Sequence, residues 1–255
     1  MKSSGLTNRY SETCDDCRRT IPEAFCNLPD SAFAELASLK IRRTYPRGST
    51  ILIEGQPAKS VFILCSGRVK LSTYSEEGKA IILRIAEPGE LLGLSAVISA
   101  SIYEKTAQAL DDCTVSAIKK KDFLEFVETN HEAALNALRQ MSNNYQKAHS
   151  QICSLGLSLS VGDKLARLLL QWCDRSSNSG PVMISRNYTH GEIAEMIGTS
   201  RETVTRLLKD FKERGLISLS KTEICIPDRK ILKAAIGGRH GNGNGNGNGN
   251  GNGHS

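Results

Sequence analysis

The chain has 255 residues, 39% of them apolar and 24% charged, with a formal net charge of +6; this length suits two modest domains with cores of their own, and the composition argues against a chain that stays unfolded. No run of eighteen apolar residues occurs and the first twenty positions hold no apolar centre, which excludes a helical membrane span and an export signal from the reading. Eight cysteines without an export signal point to a reducing compartment, the cytoplasm, where thiols stay free or bind metal.

In chain order, residues 1–28 are polar and carry Cys14, Cys17 and Cys26. Asp30 to Lys40 predicts a short helix. Six short strands follow, at Thr50–Glu54, Ser60–Cys65, Arg68–Ser75, Ala80–Ala86, Ala107–Leu110 and Cys113–Ile118. Turn signals at Pro46-Arg47-Gly48, Ser66-Gly67, Glu76-Glu77-Gly78 and Glu87-Pro88-Gly89 separate them. Short strands at near-regular spacing predict an all-β unit of jelly-roll type over residues 29–121. A long helix is expected from Asp122 to Ser154. Along it Ala134, Leu138, Met141, Tyr145, Ala148, Ile152 and Leu155 recur at alternating steps of four and three. That is a heptad seam, and it predicts a dimerisation helix over residues 122–159, against the alternative of a helix lying on its own β unit.

Ser160 and Asp163 form a capping box that starts another helix, to Arg175, with Leu159-Ser160 as a hinge. Val182–Ser185 reads as a strand. Two helices then stand three residues apart: one opened by the box Thr189-His190-Gly191-Glu192 and ending at Ile197, the other opened by Thr199-Ser200-Arg201-Glu202 and running to Arg214. Gly198 makes the turn between them. A β-hairpin wing is expected at Ile217–Leu219 and Glu223–Ile226. Residues 160–236 thus read as a winged helix-turn-helix, and residues 237–255, a Gly/Asn alternation, as a disordered tail.

In the second helix of the pair, Val204, Leu207, Leu208 and Phe211 follow i, i+3, i+4, i+7 and predict packing on Ile193 and Ile197. Arg201, Glu202, Thr205, Arg206 and Lys209 share the other face. Arginine can form paired hydrogen bonds to guanine O6 and N7, and a carboxylate can accept from cytosine N4. Glu202 therefore predicts base reading, or else an ion pair with Arg206. Charge agrees with a polyanionic partner: residues 1–160 carry 19 Lys and Arg against 18 Asp and Glu, residues 161–239 carry 14 against 9. The expected site is Thr189, Thr199, Ser200, Arg201, Glu202, Thr205, Arg206 and Lys209, with double-stranded DNA as partner. The competing reading is a redox- or ligand-binding adaptor whose winged helix contacts protein. An enzyme is not expected, because no nucleophile–base set or phosphate loop occurs and His131, His149 and His190 are scattered.

Ser200-Arg201-Glu202-Thr203-Val204-Thr205-Arg206 resembles the recognition helix of the Crp/Fnr regulators, in particular the cyclic-AMP receptor branch. Pro46-Arg47-Gly48, Glu54-Gly55, Ser66-Gly67-Arg68-Val69 and Pro88-Gly89-Glu90 resemble the family's β-roll. The resemblance covers residues 28–235. It implies an α+β chain in which a cyclic-nucleotide-binding-like β-roll precedes a dimer helix and a DNA-binding domain. It further implies a homodimer on an inverted repeat of TGTGA-like half-sites, with RNA polymerase as partner for an activator. The family's nucleotide pocket uses a Gly-Glu pair and then Arg-Ser or Arg-Thr; here stand Gly93-Leu94 and Lys105-Thr106, which argues against cyclic AMP.

Cys14-Asp15-Asp16-Cys17 with Cys26 is similar to the N-terminal cluster of the Fnr branch, and implies an iron–sulfur cluster or zinc. It departs from that branch in the gap before Cys26. The branch's fourth cysteine is replaced by Ser116, with Cys113 on the other strand face and Cys65 as a further candidate. Otherwise Cys65, Cys113, Cys153, Cys173 and Cys225 read as small core residues.

Overall fold

The computed structural model describes residues 21–75, 80–156, 160–173, 181–185, 188–220 and 223–236, with backbone alone for 150–156 and 185. Cys14, Cys17, the Glu76-Glu77-Gly78 turn, Leu159 and the Gly/Asn tail lie outside them. The chain divides into two compact units, Met1–Cys153 and Ser154–Ser255.

The first unit opens with α1 (Asp30–Leu39) and continues through β1 (Ile41–Tyr45), β2 (Thr50–Leu52), β3 (Ser60–Ser66), β4 (Val69–Tyr74), β5 (Ala80–Ala86), β6 (Leu91–Leu92), α2 (Leu94–Ile98), β7 (Thr106–Ala109) and β8 (Cys113–Lys119). The strands form two antiparallel four-stranded sheets, β1-β8-β3-β6 and β2-β7-β4-β5. β1 was not expected as a strand. It reads Ile-Arg-Arg-Thr-Tyr with its first four residues exposed, a charged edge that resists pairing with a second sheet. The two-residue β6 and the five-residue α2 are too short to leave a periodic signal.

Two further departures have physical causes. Residues 24–28 were assigned to a polar N-terminal segment, yet Ala24, Phe25, Cys26 and Leu28 are buried in the β-roll core, where the Phe25 and Phe123 rings lie 5.8 Å apart. The long helix expected from Asp122 is two: α3 (Lys120–Thr129) and α4 (His131–Gly156). Asn130 interrupts them. Its backbone is extended, its Nδ2 donates to the Phe126 carbonyl at 3.0 Å and to Glu35 Oε2 at 3.1 Å, and its carbonyl accepts from Ala134 N at 3.1 Å. A short amide side chain competes in this way with the helix's own backbone bonds.

α4 has two faces. Ala133, Ala137 and Gln140 are buried against their own β-roll. Of the heptad stripe, Ala134 is half-buried, while Leu138 (61%), Met141 (36%), Tyr145 (72%) and Ala148 are exposed. The side chains of Ile152 and Leu155 are outside the described set.

Gln140 joins three parts of the unit. Its Oε1 accepts from Leu91 N at 2.8 Å, and its Nε2 donates to the Gly89 carbonyl at 2.8 Å and to the Glu23 carbonyl at 3.4 Å. The same Gly89 carbonyl accepts from Phe25 N at 3.0 Å. Gly89 has φ +92, and a Cβ there would stand 2.8 Å from the Ala24 Cβ, so only glycine lets the turn and the N-terminal segment meet. Replacing Gln140 by alanine leaves the buried Leu91 N–H without an acceptor. The expected cost is about 1–3 kcal/mol in the urea transition of the first unit; an unchanged midpoint would contradict the assignment.

Candidate nucleic-acid interface

The second unit contains α5 (Val161–Cys173), β9 (Val182–Ser185), α6 (His190–Ile197), α7 (Arg201–Glu213), β10 (Ser218–Leu219), β11 (Glu223–Ile226) and α8 (Arg229–Ala234). The strands form an antiparallel sheet in the order β10-β11-β9, the expected wing joined by one earlier strand. The last helix, α8, was not expected. Both hydrogen bonds of the Ser160/Asp163 capping box are present at 3.1 Å. Leu165, Leu169, Ile193, Ile197, Val204 and Phe211 belong to one core, and Trp172 stacks on Tyr188 at 4.9 Å.

α6 starts as the sequence predicts. Thr189 Oγ1 accepts from Glu192 N at 3.2 Å and Glu192 Oε2 accepts from Thr189 N at 2.6 Å. It ends at Gly198, whose φ of +67 places it in the left-handed region, and Thr199 N then donates back to the Ala194 carbonyl at 3.0 Å. This closes the turn in three residues.

The expected box at Thr199 is not formed. Ser200 is the cap, its hydroxyl accepting from Thr203 N at 3.2 Å. The frame is shifted by one residue, so Glu202 falls at the second helical position, where it cannot reach back as a box partner. Its carboxyl is instead held below the usual carboxylate range by its own backbone N–H, the Ser200 hydroxyl and the Arg201 charge. An ionised carboxylate can only accept hydrogen bonds.

Val204, Leu208 and Phe211 are buried and Leu207 is half-buried. Arg201, Glu202, Thr205, Arg206 and Lys209 are exposed on the far side. The Glu202–Arg206 ion pair does not occur; among the described residues no carboxylate lies within ion-pair reach of Arg201 or Arg206. Lys209 Nζ lies 3.8 Å from Glu213 Oε1 in an exposed pair, a contact too weak to withhold the lysine from another anion. Thr189 is exposed and Thr199 half-buried.

Sequence reading missed one member of this surface. His190, dismissed as scattered, has its Nδ1 2.8 Å from Thr205 Oγ1. The fourteen residues between them carry no signal that would pair the two; the Gly198 turn brings them together.

In the first unit a cavity of about 310 Å³ lies between the β-roll and α4, lined among others by Leu71, Arg84, Leu94, Lys105, Met141 and Tyr145. Leu94 is buried and Lys105 Nζ pairs with Glu104 Oε2 at 3.3 Å. Arg84 pairs with Glu90, which also lies 3.4 Å from Lys147 Nζ.

The cysteines divide. Cys26 is buried, with Lys40 Nζ 3.5 Å from its sulfur, and among the described residues no three His, Cys, Asp or Glu side chains group as a metal site. Cys65 and Ser116 face each other at 3.3 Å in the core. Cys113 Sγ donates to the Arg68 and Asp111 carbonyls, and burial pushes its thiol up to about 11. Cys173 is buried as expected, but Cys225 is only half-buried, because the residues of β11 alternate and its neighbours Ile224 and Ile226 take the core side. The Cys153 side chain is outside the described set.

Two family models match, the cyclic nucleotide-binding domain over residues 42–130 and the Crp-like helix-turn-helix domain over residues 163–235. A CRP-like cAMP-activated global transcriptional regulator of Mycobacterium tuberculosis is 26% identical over 210 residues, covering 82% of this chain and 93% of the relative. A cAMP-activated global transcriptional regulator CRP of Salmonella typhimurium is 29% identical over 181 residues, covering 68% and 83%. Among solved structures, a CooA mutant from Carboxydothermus hydrogenoformans has a TM-score of 0.69 at 22% identity, covering 82% of this chain and 92% of that one. FixK2 from Bradyrhizobium japonicum has 0.66 at 21%, covering 76% and 96%. These two likenesses show the fold.

The cap assignment yields a direct test. Replacing Ser200 by alanine should cost about 1 kcal/mol in the second unit's urea transition, whereas Ser200→Asp, which keeps an acceptor, should not. The Thr199→Ala variant should match the parent; the reverse order would restore Thr199 as the cap.

Proposed function

The chain belongs to the Crp/Fnr family of transcription regulators, and from that premise we propose that it is a cytoplasmic homodimer that binds an inverted repeat of TGTGA-like half-sites under control of a signal received in its N-terminal half. The observation that carries this reading is the exposed face of α7, where two arginines and an ionised carboxylate stand together beside a buried apolar stripe. The arginines suit guanine O6 and N7 and the carboxylate suits the cytosine amine. The exposed Leu138, Met141 and Tyr145 on α4 support the dimer, because apolar side chains left open at heptad spacing form a seam that a second helix can cover. A two-fold dimer sets half-site centres about 34 Å apart. An activator of this kind would also meet RNA polymerase.

The 310 Å³ cavity is the place for an effector. The curated relatives named above are cAMP-activated, but here Leu94 offers no acceptor for a ribose hydroxyl and Lys105 lacks a planar fork for phosphate. Cyclic AMP is therefore not the effector of this reading. For Cys14, Cys17 and Cys26 the donor set suits iron–sulfur or zinc, but Cys26 lies in the core against Lys40. Binding would require residues 24–28 to release it. Protein purified without oxygen should carry iron and sulfide, or zinc, and lose it in the triple serine variant; metal-free protein with unchanged DNA affinity would reject the metal reading.

Selection of bound sites from random duplexes tests the DNA reading. An inverted repeat is expected. Replacing Arg206 by alanine should cost about 1–3 kcal/mol and relax one base pair. Replacing Lys209 should weaken all sequences alike and lower the salt slope by about one. Absence of a repeat, or identical sequence-independent losses in both variants, would overturn the base-reading assignment.

A further inference from the structure

Thr205 stands on α7 between the arginines, and its hydroxyl is already engaged. Oγ1 lies 2.9 Å from the Arg201 carbonyl oxygen, one turn earlier, and 2.8 Å from His190 Nδ1 on α6. A carbonyl can only accept, so the single hydroxyl proton goes to Arg201. Towards His190 the hydroxyl must then accept, and the proton on that contact belongs to Nδ1. This fixes the ring's tautomer: a neutral His190 carries its hydrogen on Nδ1 and leaves Nε2 as its acceptor.

The consequence lies at Thr205. A free threonine on a helix divides between two rotamers, because its hydroxyl can turn back to the preceding turn or face outwards. Here both contacts draw the hydroxyl inwards, one to its own helix and one to α6. With its proton committed to the Arg201 carbonyl, the hydroxyl has no hydrogen bond left to donate, and the γ-methyl is the apolar group this exposed side chain offers a ligand. An apolar methyl among Arg201, Glu202 and Arg206 suits one feature of a major-groove edge, the thymine C5-methyl.

The geometry points to Thr205 as a specificity-determining residue that reads a thymine methyl, with His190 as the positioning residue that holds its rotamer. This rests on the DNA reading above and adds a base and two roles to it. His190 acts through Thr205.

The test uses the full-length protein and its selected inverted repeat, with deoxyuridine replacing each thymine of one half-site in turn. Uracil pairs as thymine does and lacks only the methyl. One position should weaken wild-type binding about fourfold, the effect of burying one methyl-sized group. In Thr205→Ser, which keeps the hydroxyl and loses the methyl, the thymine-to-uracil ratio at that position should fall to one while the other positions keep theirs. His190→Ala should lower the ratio, and His190→Asn, which returns an N–H donor near the Nδ1 position, should restore part of it. A merely structural histidine would weaken thymine and uracil duplexes equally. A flat uracil profile in the wild type, or a profile unchanged in Thr205→Ser, overturns the inference while leaving DNA binding intact. Failure of the wild type to bind any duplex overturns both.

Discussion

The burial of Val204, Leu208 and Phe211 against the core of the second unit is the constraint from which the rest of the site follows. On a helix with 3.6 residues per turn, each position is rotated about 100° from the last, so three anchored residues leave α7 no freedom to spin. Once they are inside, Arg201, Glu202, Thr205, Arg206 and Lys209 are outside. Gly198 fixes the other variable, the approach of α6, by taking a left-handed turn that closes the connection in three residues. The start of α7 is set by Ser200, and that frame decides where Glu202 sits and why it stays ionised. The chemistry of the surface is thus a consequence of packing on the opposite side of one helix.

The first unit obeys a similar logic with a different helix. α4 gives three residues to its own β-roll and leaves an apolar stripe in the open. Gln140, on the inner face, binds the turn at Gly89, which also binds Phe25. Further along the same helix Lys147 reaches Glu90, the partner of the cavity's Arg84. The N-terminal segment, the edge of the cavity and the inner side of α4 therefore converge on residues 87–91.

What was legible in the sequence was periodic or capped. Strands of four to seven residues with turn signals, the heptad stripe, the capping box at Thr189 and the amphipathic α7 each repeat a pattern over enough residues to be read. Other features left no such trace. β6 spans two residues, and β1 presents exposed arginines instead of an alternating apolar face. Asn130 breaks a helix by hydrogen bonds that apolar spacing does not record. Phe25 is a core residue in a stretch whose average composition is polar. On α7 the division into a buried apolar face and an exposed polar face was legible and the cap was misplaced by one residue, since Thr199 and Ser200 are both good caps and only the backbone chooses between them. His190 and Thr205 meet through tertiary geometry, which composition cannot show.

The most direct measurement is the salt dependence of binding to an inverted-repeat duplex, followed by the anisotropy of a labelled duplex. A surface that meets the phosphate backbone through lysine and arginine releases counterions, so log affinity should fall linearly with log salt, with a slope of about −0.9 for each phosphate neutralised. Affinity that is indifferent to salt, or a winged helix that binds a protein and no duplex at any salt concentration, would contradict the account.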